Sequence, residues 1–239
     1  MTDSAASGDR GDDQAAPDLR HVDTWVFDLD NTLYPARSNL FDQVSDRMRY
    51  FICDFLQVDE EEAHRLQKGY FLSHGTTLKG LIDHHGVRAE DFLDYVHDID
   101  LSPVQENPQL ADVLKRLPGR KLVFTNGSVS HAENVMGKIG ITDCFEAIFD
   151  IVHSDFVPKK SIEPYHRFIE THGVTPASAA MFEDMARNLV PAHAIGMTTV
   201  WIPGISEWSH EQSTGEHIHH VTDDLTGFLI AAADRIAKG

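Results

Sequence analysis

Two cysteines, Cys53 and Cys144, are all that 239 residues contain. That is too few for a disulfide framework, and neither sits in a C-x-x-C pair, so both are expected to be reduced packing residues. Long apolar runs are also missing: no stretch approaches the roughly 18 residues that a helix needs to cross a bilayer. No basic segment followed by an apolar one heads the chain, so the expected compartment is the cytoplasm, without a membrane partner. Positive charge is scarce. Twenty basic side chains against 38 acidic ones give a net charge of −18, a field that repels nucleic-acid polymers and anionic surfaces. A small phosphorylated substrate stays admissible where a lysine or a divalent cation overcomes that field locally. No repeat with a period of roughly 20 to 50 residues is present, which excludes solenoids and propellers.

What remains is ordinary globular material, 41% hydrophobic and 24% charged, long enough for one large domain or a core with a smaller module. Residues 1–20, rich in Ala, Gly, Ser and Asp, cannot repay the entropy of ordering and are expected to form a disordered tail. A β-prone run, Thr24-Trp25-Val26-Phe27, then leads into the acidic Asp28-Leu29-Asp30-Asn31-Thr32. From Leu40 to Leu56 apolar residues recur every three or four positions, the mark of an amphipathic helix. Asp59 with Glu62 forms a capping box for the next helix, and further helical signals run past Gly86 to the Asn107-Pro108 start of another. After Pro118-Gly119 strands alternate with helices, the strand candidates being 122–125, 147–149, 180–182 and 199–202. This pattern predicts an α/β fold: a doubly wound parallel sheet, Rossmann-like, covered on both faces, with a helical block inserted after the first strand. The expected division is a core of residues 21–35 and 111–239 and a helical cap of residues 36–110.

In such sheets the site lies beyond the C-terminal ends of the strands. Asp28 and Asp30 follow the first strand, and a turn there can aim both carboxylates at one ligand. One can attack an electrophile or bind a metal while the other, protonated, donates to a leaving group. Asp-Leu-Asp-Asn also reads as a plain loop start. Thr125-Asn126-Gly127-Ser128 follows the second strand, where a hydroxyl and backbone N–H groups can hold phosphate oxygens, or can simply form a capped βα turn. Lys159 and Lys160 precede a helix and can neutralise a phosphoryl group, though a lysine pair is more often solvated. The adjacent carboxylates Glu183 and Asp184 repel unless a hard divalent cation or hydrogen bonds compensate. His217, His219, His220 and the pair His84-His85 lack the spacing of a zinc site and read as residues of a polar loop.

In this order the residues D-x-D-x-T at 28–32, Thr125, a lysine before a helix, and the late acidic cluster at 183–184 resemble the haloacid dehalogenase-like phosphohydrolases. The resemblance spans residues 24–202. It implies that Asp28 is a nucleophile forming an aspartyl-phosphate and that Asp30 is the leaving-group acid and then the water-activating base. It further implies that Thr125, the Asn126 backbone and Lys159 hold the phosphoryl group. Mg²⁺ would be bound by Asp28, the main-chain carbonyl of Asp30 and Asp184, supported by Glu183 and Asn188. An acid at position 30 favours phosphatase over dehalogenase. The family often has Gly where this chain has Asn31, and Pro where it has Lys160, which leaves Lys160 as a substitute for Lys159. The segments 28–35, 70–82 and 181–188 look like the pyrimidine 5′-nucleotidase branch, which implies a nucleotide substrate such as UMP or CMP and makes Tyr70, Thr76, Thr77 and Lys79 candidate substrate contacts from the cap. A phosphatase or mutase for a sugar phosphate, a 2-phosphoglycolate phosphatase, and a phosphoryl-binding module without turnover remain as alternatives.

Overall fold

The computed structural model describes residues 17–205 and 207–239. Six parallel strands form one sheet: β1 (Thr24–Phe27), β2 (Arg120–Phe124), β3 (Ala147–Phe149), β4 (Ala179–Glu183), β5 (Thr198–Trp201) and β6 (His220–Val221), in the order β3-β2-β1-β4-β5-β6. The chain moves from β1 outward through β2 and β3, then returns to the other side of β1 for β4, β5 and β6. The winding therefore reverses beside β1, where a doubly wound sheet opens a crevice for a ligand.

Strand side chains alternate between two covered faces, which is why the strands read as continuous apolar runs. Trp25, Phe27, Val123, Ala180, Phe182 and Val200 face one core together with α5 (Pro108–Arg116), α6 (Val129–Ile139) and α9 (Leu225–Ala237). Val26, Leu122, Phe124, Met181 and Trp201 face the other, against α7 (Glu163–His172) and α8 (Ala186–Ala194). The rings of Phe27 and Phe182 stack across β1 and β4 with centroids 4.6 Å apart, close to the strand ends.

The inserted block is four helices: α1 (Leu40–Leu56), α2 (Glu60–His74), α3 (Thr77–His85) and α4 (Ala89–Val96). Each boundary has a local cause. Asp59 accepts a hydrogen bond from the Glu62 N–H at the start of α2, followed by three glutamates in the first turn that complement the helix dipole, and Gly75 ends it at φ +93°. Thr76 caps α3 by accepting from the Lys79 N–H. The helices enclose their own core of Val44, Ile52, Ala63, Leu78, Leu81, Val87, Phe92, Leu93 and Val96.

Three details depart from the sequence expectations. Residues 1–16 of the expected tail lie outside the described residues, but Leu19 is fully buried in the sheet-side core, so the packed chain starts before residue 21. Helix α5 also packs on that core through Leu110, Val113 and Leu114, so its first turn belongs with the sheet and not with the cap. His220 lies in the short edge strand β6 instead of a loop, with its neighbour His219 accepting the Thr199 N–H at 3.0 Å. Among the described residues, no helix is long and apolar enough to cross a membrane.

Gly80 shows which force dominates inside the cap. Helix propensity favours alanine there by roughly 1 kcal/mol, but a Cβ would stand 2.2 Å from Cγ of Tyr70. Overpacking of that kind costs about 1–3 kcal/mol, so Gly80→Ala should lower the melting temperature, at roughly 2–4 °C per kcal/mol for a chain of this size. In the Tyr70→Ala background the same change should become neutral or stabilising. A Gly80→Ala protein that melts higher than wild type would contradict the packing account.

Candidate active site

Extending the register, in which Phe27 pairs with both Val123 and Phe182, brings Asp28 level with Phe124 and Glu183. The three central strands thus end together, and their next residues share one place. The Asp28 N–H donates to the Phe182 carbonyl at 2.9 Å, which holds its side chain at the edge of the crevice.

Lys159 reaches this point from the loop before α7 and is 1% exposed. Its Nζ donates to Asp28 Oδ1 at 2.5 Å, to Glu183 Oε2 at 2.9 Å and to the Phe124 carbonyl at 3.1 Å. Burial would lower this ammonium, but the Asp28 and Glu183 charges outweigh it and raise the group above the ordinary lysine range. The other oxygen of Asp28 accepts from Thr32 Oγ1 at 3.1 Å. Asn188 donates to Glu183 Oε1 at 2.5 Å, so both Glu183 oxygens are occupied. The main chain of Asn188 in turn accepts from the Tyr165 hydroxyl at 2.6 Å.

Among the described residues the Asp184 carboxylate has no comparable partner, with the Asn31 amide at 3.5 Å. Burial, then the Glu183 and Asp28 charges, push it well above the usual carboxylate range. Asp28 is pushed up to about 7, by burial first and then by Glu183, with Lys159 pulling the other way. Asp28, Glu183 and Asp184 are all buried and offer carboxylate oxygens within 4.8 Å of one another. Three acids facing one ammonium form an all-oxygen set that lacks positive charge, the donor chemistry of a hard divalent cation. Both oxygens of Glu183 and both of Asp28 already accept a hydrogen bond, so Asp184 is the least occupied carboxylate of the three.

Asp30 is held from the opposite side. Its Oδ1 accepts from the Tyr34 hydroxyl at 2.6 Å and faces His131 Nε2 at 2.9 Å. Burial alone would raise Asp30, but the His131 charge and the two hydrogen bonds outweigh it and bring the carboxyl down to about 2. The His131 ring stacks on His97, with centroids 4.2 Å apart, and His97 Nδ1 meets Ser128 Oγ at 3.0 Å. Burial, with His131 adding to it, pushes His97 down to about 3 and keeps it neutral. Two features of the sequence now have physical reasons. Asn31 adopts φ +60°, a left-handed conformation that asparagine tolerates better than most residues and in which glycine is at ease. Thr125, 1% exposed, accepts the Gly127 N–H at 2.9 Å and so shapes the second strand's turn, while Asn126 Oδ1 accepts the Lys159 N–H at 3.1 Å.

A cavity of about 440 Å³ lies over these groups, between the sheet and the cap, lined by Asp28, Asp30, Thr125, Asn126, Lys159 and Asp184 below. Of the cap residues expected to meet substrate, Thr76 and Thr77 line it, and Tyr70 and Lys79 do not. Tyr70 turns to His85, its hydroxyl 2.6 Å from Nε2, and Lys79 pairs with Asp83 one turn along α3. The sequence reading missed Gln67, Phe71 and Arg187, all of which line the cavity. Gln67 lies one turn after Ala63 on the buried side of α2, and a polar residue in that stripe was the available signal. His131 gave no signal of its own, since only the fold brings it to Asp30.

The lysine pair divides its work. Lys160 points away from Asp28 and donates to the Leu72 and Ser73 carbonyls at the end of α2, at 3.3 and 2.7 Å. Arg187 joins it there, reaching the Gly75 carbonyl at 3.4 Å with its guanidinium 4.2 Å over the Phe71 ring.

The chain is similar to known proteins over most of its length. The family model for haloacid dehalogenase-like hydrolases matches residues 22–196. Phosphate metabolism protein 8 of Saccharomyces cerevisiae is 30% identical over 205 residues, covering 78% of this chain and 63% of that protein. Magnesium-dependent phosphatase 1 of Homo sapiens is 25% identical over 95 residues, covering 40% of this chain and 53% of that one. The chain therefore spans less than two thirds of the length of either relative. In three dimensions CbbY from Rhodobacter sphaeroides, solved in complex with phosphate, superposes with a TM-score of 0.62 at 19% identity, over 89% of this chain and 99% of that one. With the family model matching residues 22–196, most of its length, the chain belongs to the haloacid dehalogenase-like hydrolases.

Proposed function

We propose that the protein is a Mg²⁺-dependent phosphomonoesterase that works through an aspartyl-phosphate at Asp28, with a pyrimidine nucleoside 5′-monophosphate as substrate. The observation that carries this reading is the separate anchoring of the two aspartates, Asp28 by Lys159 and Thr32, Asp30 by His131 and Tyr34. Lys159 favours the ionised form of Asp28 that attack requires, and Asp30, held ionised by His131 and Tyr34, takes up a proton when a phosphate dianion lies beside it.

In this reading Asp28 attacks phosphorus, and Thr125, the Asn126 backbone and Lys159 hold the equatorial oxygens as charge builds on them. Asp28, the Asp30 main-chain carbonyl and Asp184 would hold the metal, with Glu183 and Asn188 fixing its surroundings. When bound, the cation neutralises the negative charge gathered between the acids and the phosphoryl oxygens. Tyr34 and His131 both occupy Oδ1 of Asp30, so Oδ2 is the oxygen that exchanges a proton with the leaving group and then with water. A dianionic phosphate arriving beside Asp30 raises its proton affinity by like charge, which prepares it to donate. The cap closes the chamber, and Val44, Met48, Phe71, Leu78, Phe92, Leu93 and Val96 give it an apolar lining. A planar base suits that lining better than the dense hydroxyls of a sugar phosphate or the small, charged leaving part of 2-phosphoglycolate.

Phosphate release should be measured for UMP, CMP, sugar phosphates and 2-phosphoglycolate, with Mg²⁺ and with EDTA. Metal-dependent turnover favouring UMP or CMP is expected, and Asp28→Asn should abolish it in a folded protein. A preference for a sugar phosphate would discard the nucleotide, and inactivity across the panel would favour a phosphoryl-binding module.

Leaving-group dependence tests Asp30. Asp30→Asn should slow UMP hydrolysis by roughly 10²–10⁴-fold and p-nitrophenyl phosphate, whose leaving group needs no proton, far less. His131→Ala removes the charge that holds Asp30 down, leaves more of it protonated and should shift that ratio the other way, by a smaller factor. Equal losses on both substrates would count against proton transfer by Asp30.

The excess of buried acids has a consequence for stability. Asp184→Asn removes an under-compensated carboxylate, a change worth on the order of 1 kcal/mol and so roughly 2–4 °C. The metal-free variant should melt higher than the metal-free wild type and should lose the upward shift that Mg²⁺ gives the wild type. An undiminished Mg²⁺ shift in the variant would remove Asp184 from the metal site.

A further inference from the structure

The pair His84-His85 reads from the sequence as part of a polar loop, but both residues lie in the last turn of α3. There His84 meets His74, ten positions earlier in the last turn of α2, across the Gly75-Thr76 turn. Their Nε2 atoms are 3.1 Å apart, and the rings stand at 89° to one another with centroids separated by 4.9 Å. A straight N–H···N hydrogen bond of that length would hold the centroids about 5.4 Å apart. Two imidazoles aimed at one zinc ion, about 2.0–2.1 Å from each nitrogen, would hold them about 4.8 Å apart. The bend of the pair matches a shared cation better than a shared proton.

His74 is already set to ligate. Ser73 Oγ donates its one hydrogen to the Gly69 carbonyl at 2.7 Å, so it can only accept from His74 Nδ1, also 2.7 Å away. The neutral ring of His74 therefore carries its proton on Nδ1 and presents the Nε2 lone pair to His84. A ligating histidine usually donates its second N–H in this way, which fixes the ring and strengthens the ligating nitrogen. On the other side the Tyr70 ring lies 12° from parallel to His84, with centroids 5.4 Å apart, and so restrains the second imidazole. Coordination needs His84 in the same tautomer, with its proton on Nδ1. A pair of imidazole nitrogens suits Zn²⁺, Cu²⁺ or Ni²⁺, whereas Mg²⁺ takes oxygen.

We propose that His74 and His84 form a second metal site, in the cap, for a late first-row transition-metal cation such as zinc, with water completing its coordination. It is separate from the acid cluster in position and in donor chemistry, and it does not rest on the phosphatase reading. The net charge of −18 favours the approach of any cation. An ion held there joins the ends of α2 and α3 and closes the turn that carries Thr76 and Thr77 to the chamber over Asp28.

The test is calorimetric titration of the untagged protein with ZnCl₂, with Mg²⁺ in excess to occupy the acid cluster. Loss of an outer partner alone commonly costs roughly 10–100-fold in metal affinity, so His74→Asn and His84→Asn should each weaken one zinc site by at least roughly tenfold. Ser73→Ala should weaken it less, and His85→Asn should leave it unchanged. His84 is exposed, so its replacement should not alter the zinc-free melting temperature. In the wild-type protein zinc should also shield His74 and His84 from diethyl pyrocarbonate, read from peptide masses, a measurement that needs no variant. Equal zinc affinity in the wild type and both histidine variants, no zinc binding by the wild type, or modification of His74 and His84 that zinc does not slow would each overturn the site.

Discussion

The site is organised around a buried ammonium. Lys159 is the ammonium on which Asp28 and Glu183 both depend, and it arrives from a loop more than a hundred residues after the first strand. Remove its charge and two buried carboxylates face each other without compensation, a situation proteins avoid by protonation, metal binding or unfolding. Much else follows from keeping Lys159 in place. The Phe124 carbonyl and the Asn126 side chain fasten it to the end of β2, and Asn188 fixes its partner Glu183. One ammonium does not balance the three acids, and that deficit at Asp184 suits the position to a divalent cation.

The second constraint joins the cap to the core. Lys160 and Arg187 both belong to the sheet side of the molecule, and both end on carbonyls at the C-terminus of α2. Those carbonyls carry the negative end of the helix dipole and lack partners within the helix, so two cations are well placed there. The family's usual proline at position 160 could not make this contact. Its replacement by lysine is thus not a loss of phosphate-binding charge. It serves a different end, holding α2, and with it Gln67 and Phe71, over Asp28 and Asp30.

The parts of this arrangement that the sequence made legible are those encoded locally. Strand β1 with its trailing aspartates, the capping box of α2, the Asn107-Pro108 start of α5 and the glycines that end the helices are all written in adjacent residues. The motif order also points to Asp28, Thr125, Lys159, Glu183, Asp184 and Asn188 as one cluster. What stayed hidden depends on contacts distant in sequence. His131 meets Asp30 across 101 residues, and Gln67 meets Ser45 between two helices of the cap. Tyr70 and Lys79 were expected to reach substrate because they are the residue types that often do, but the helical phase turns Tyr70 toward Gly80 and His85 and leaves Lys79 to pair along its own helix. Strand β6 is two residues long and carries a histidine, so no pattern announced it.

The central claim is that Asp28 becomes covalently phosphorylated during turnover. It is tested most directly by quenching the enzyme with acid in the steady state, reducing it with borohydride and determining the mass of the peptide containing residues 28–32. An aspartyl-phosphate is reduced to homoserine, so homoserine is expected at position 28 and not at position 30. Rapid turnover without homoserine at position 28, or with it at position 30, would contradict the account.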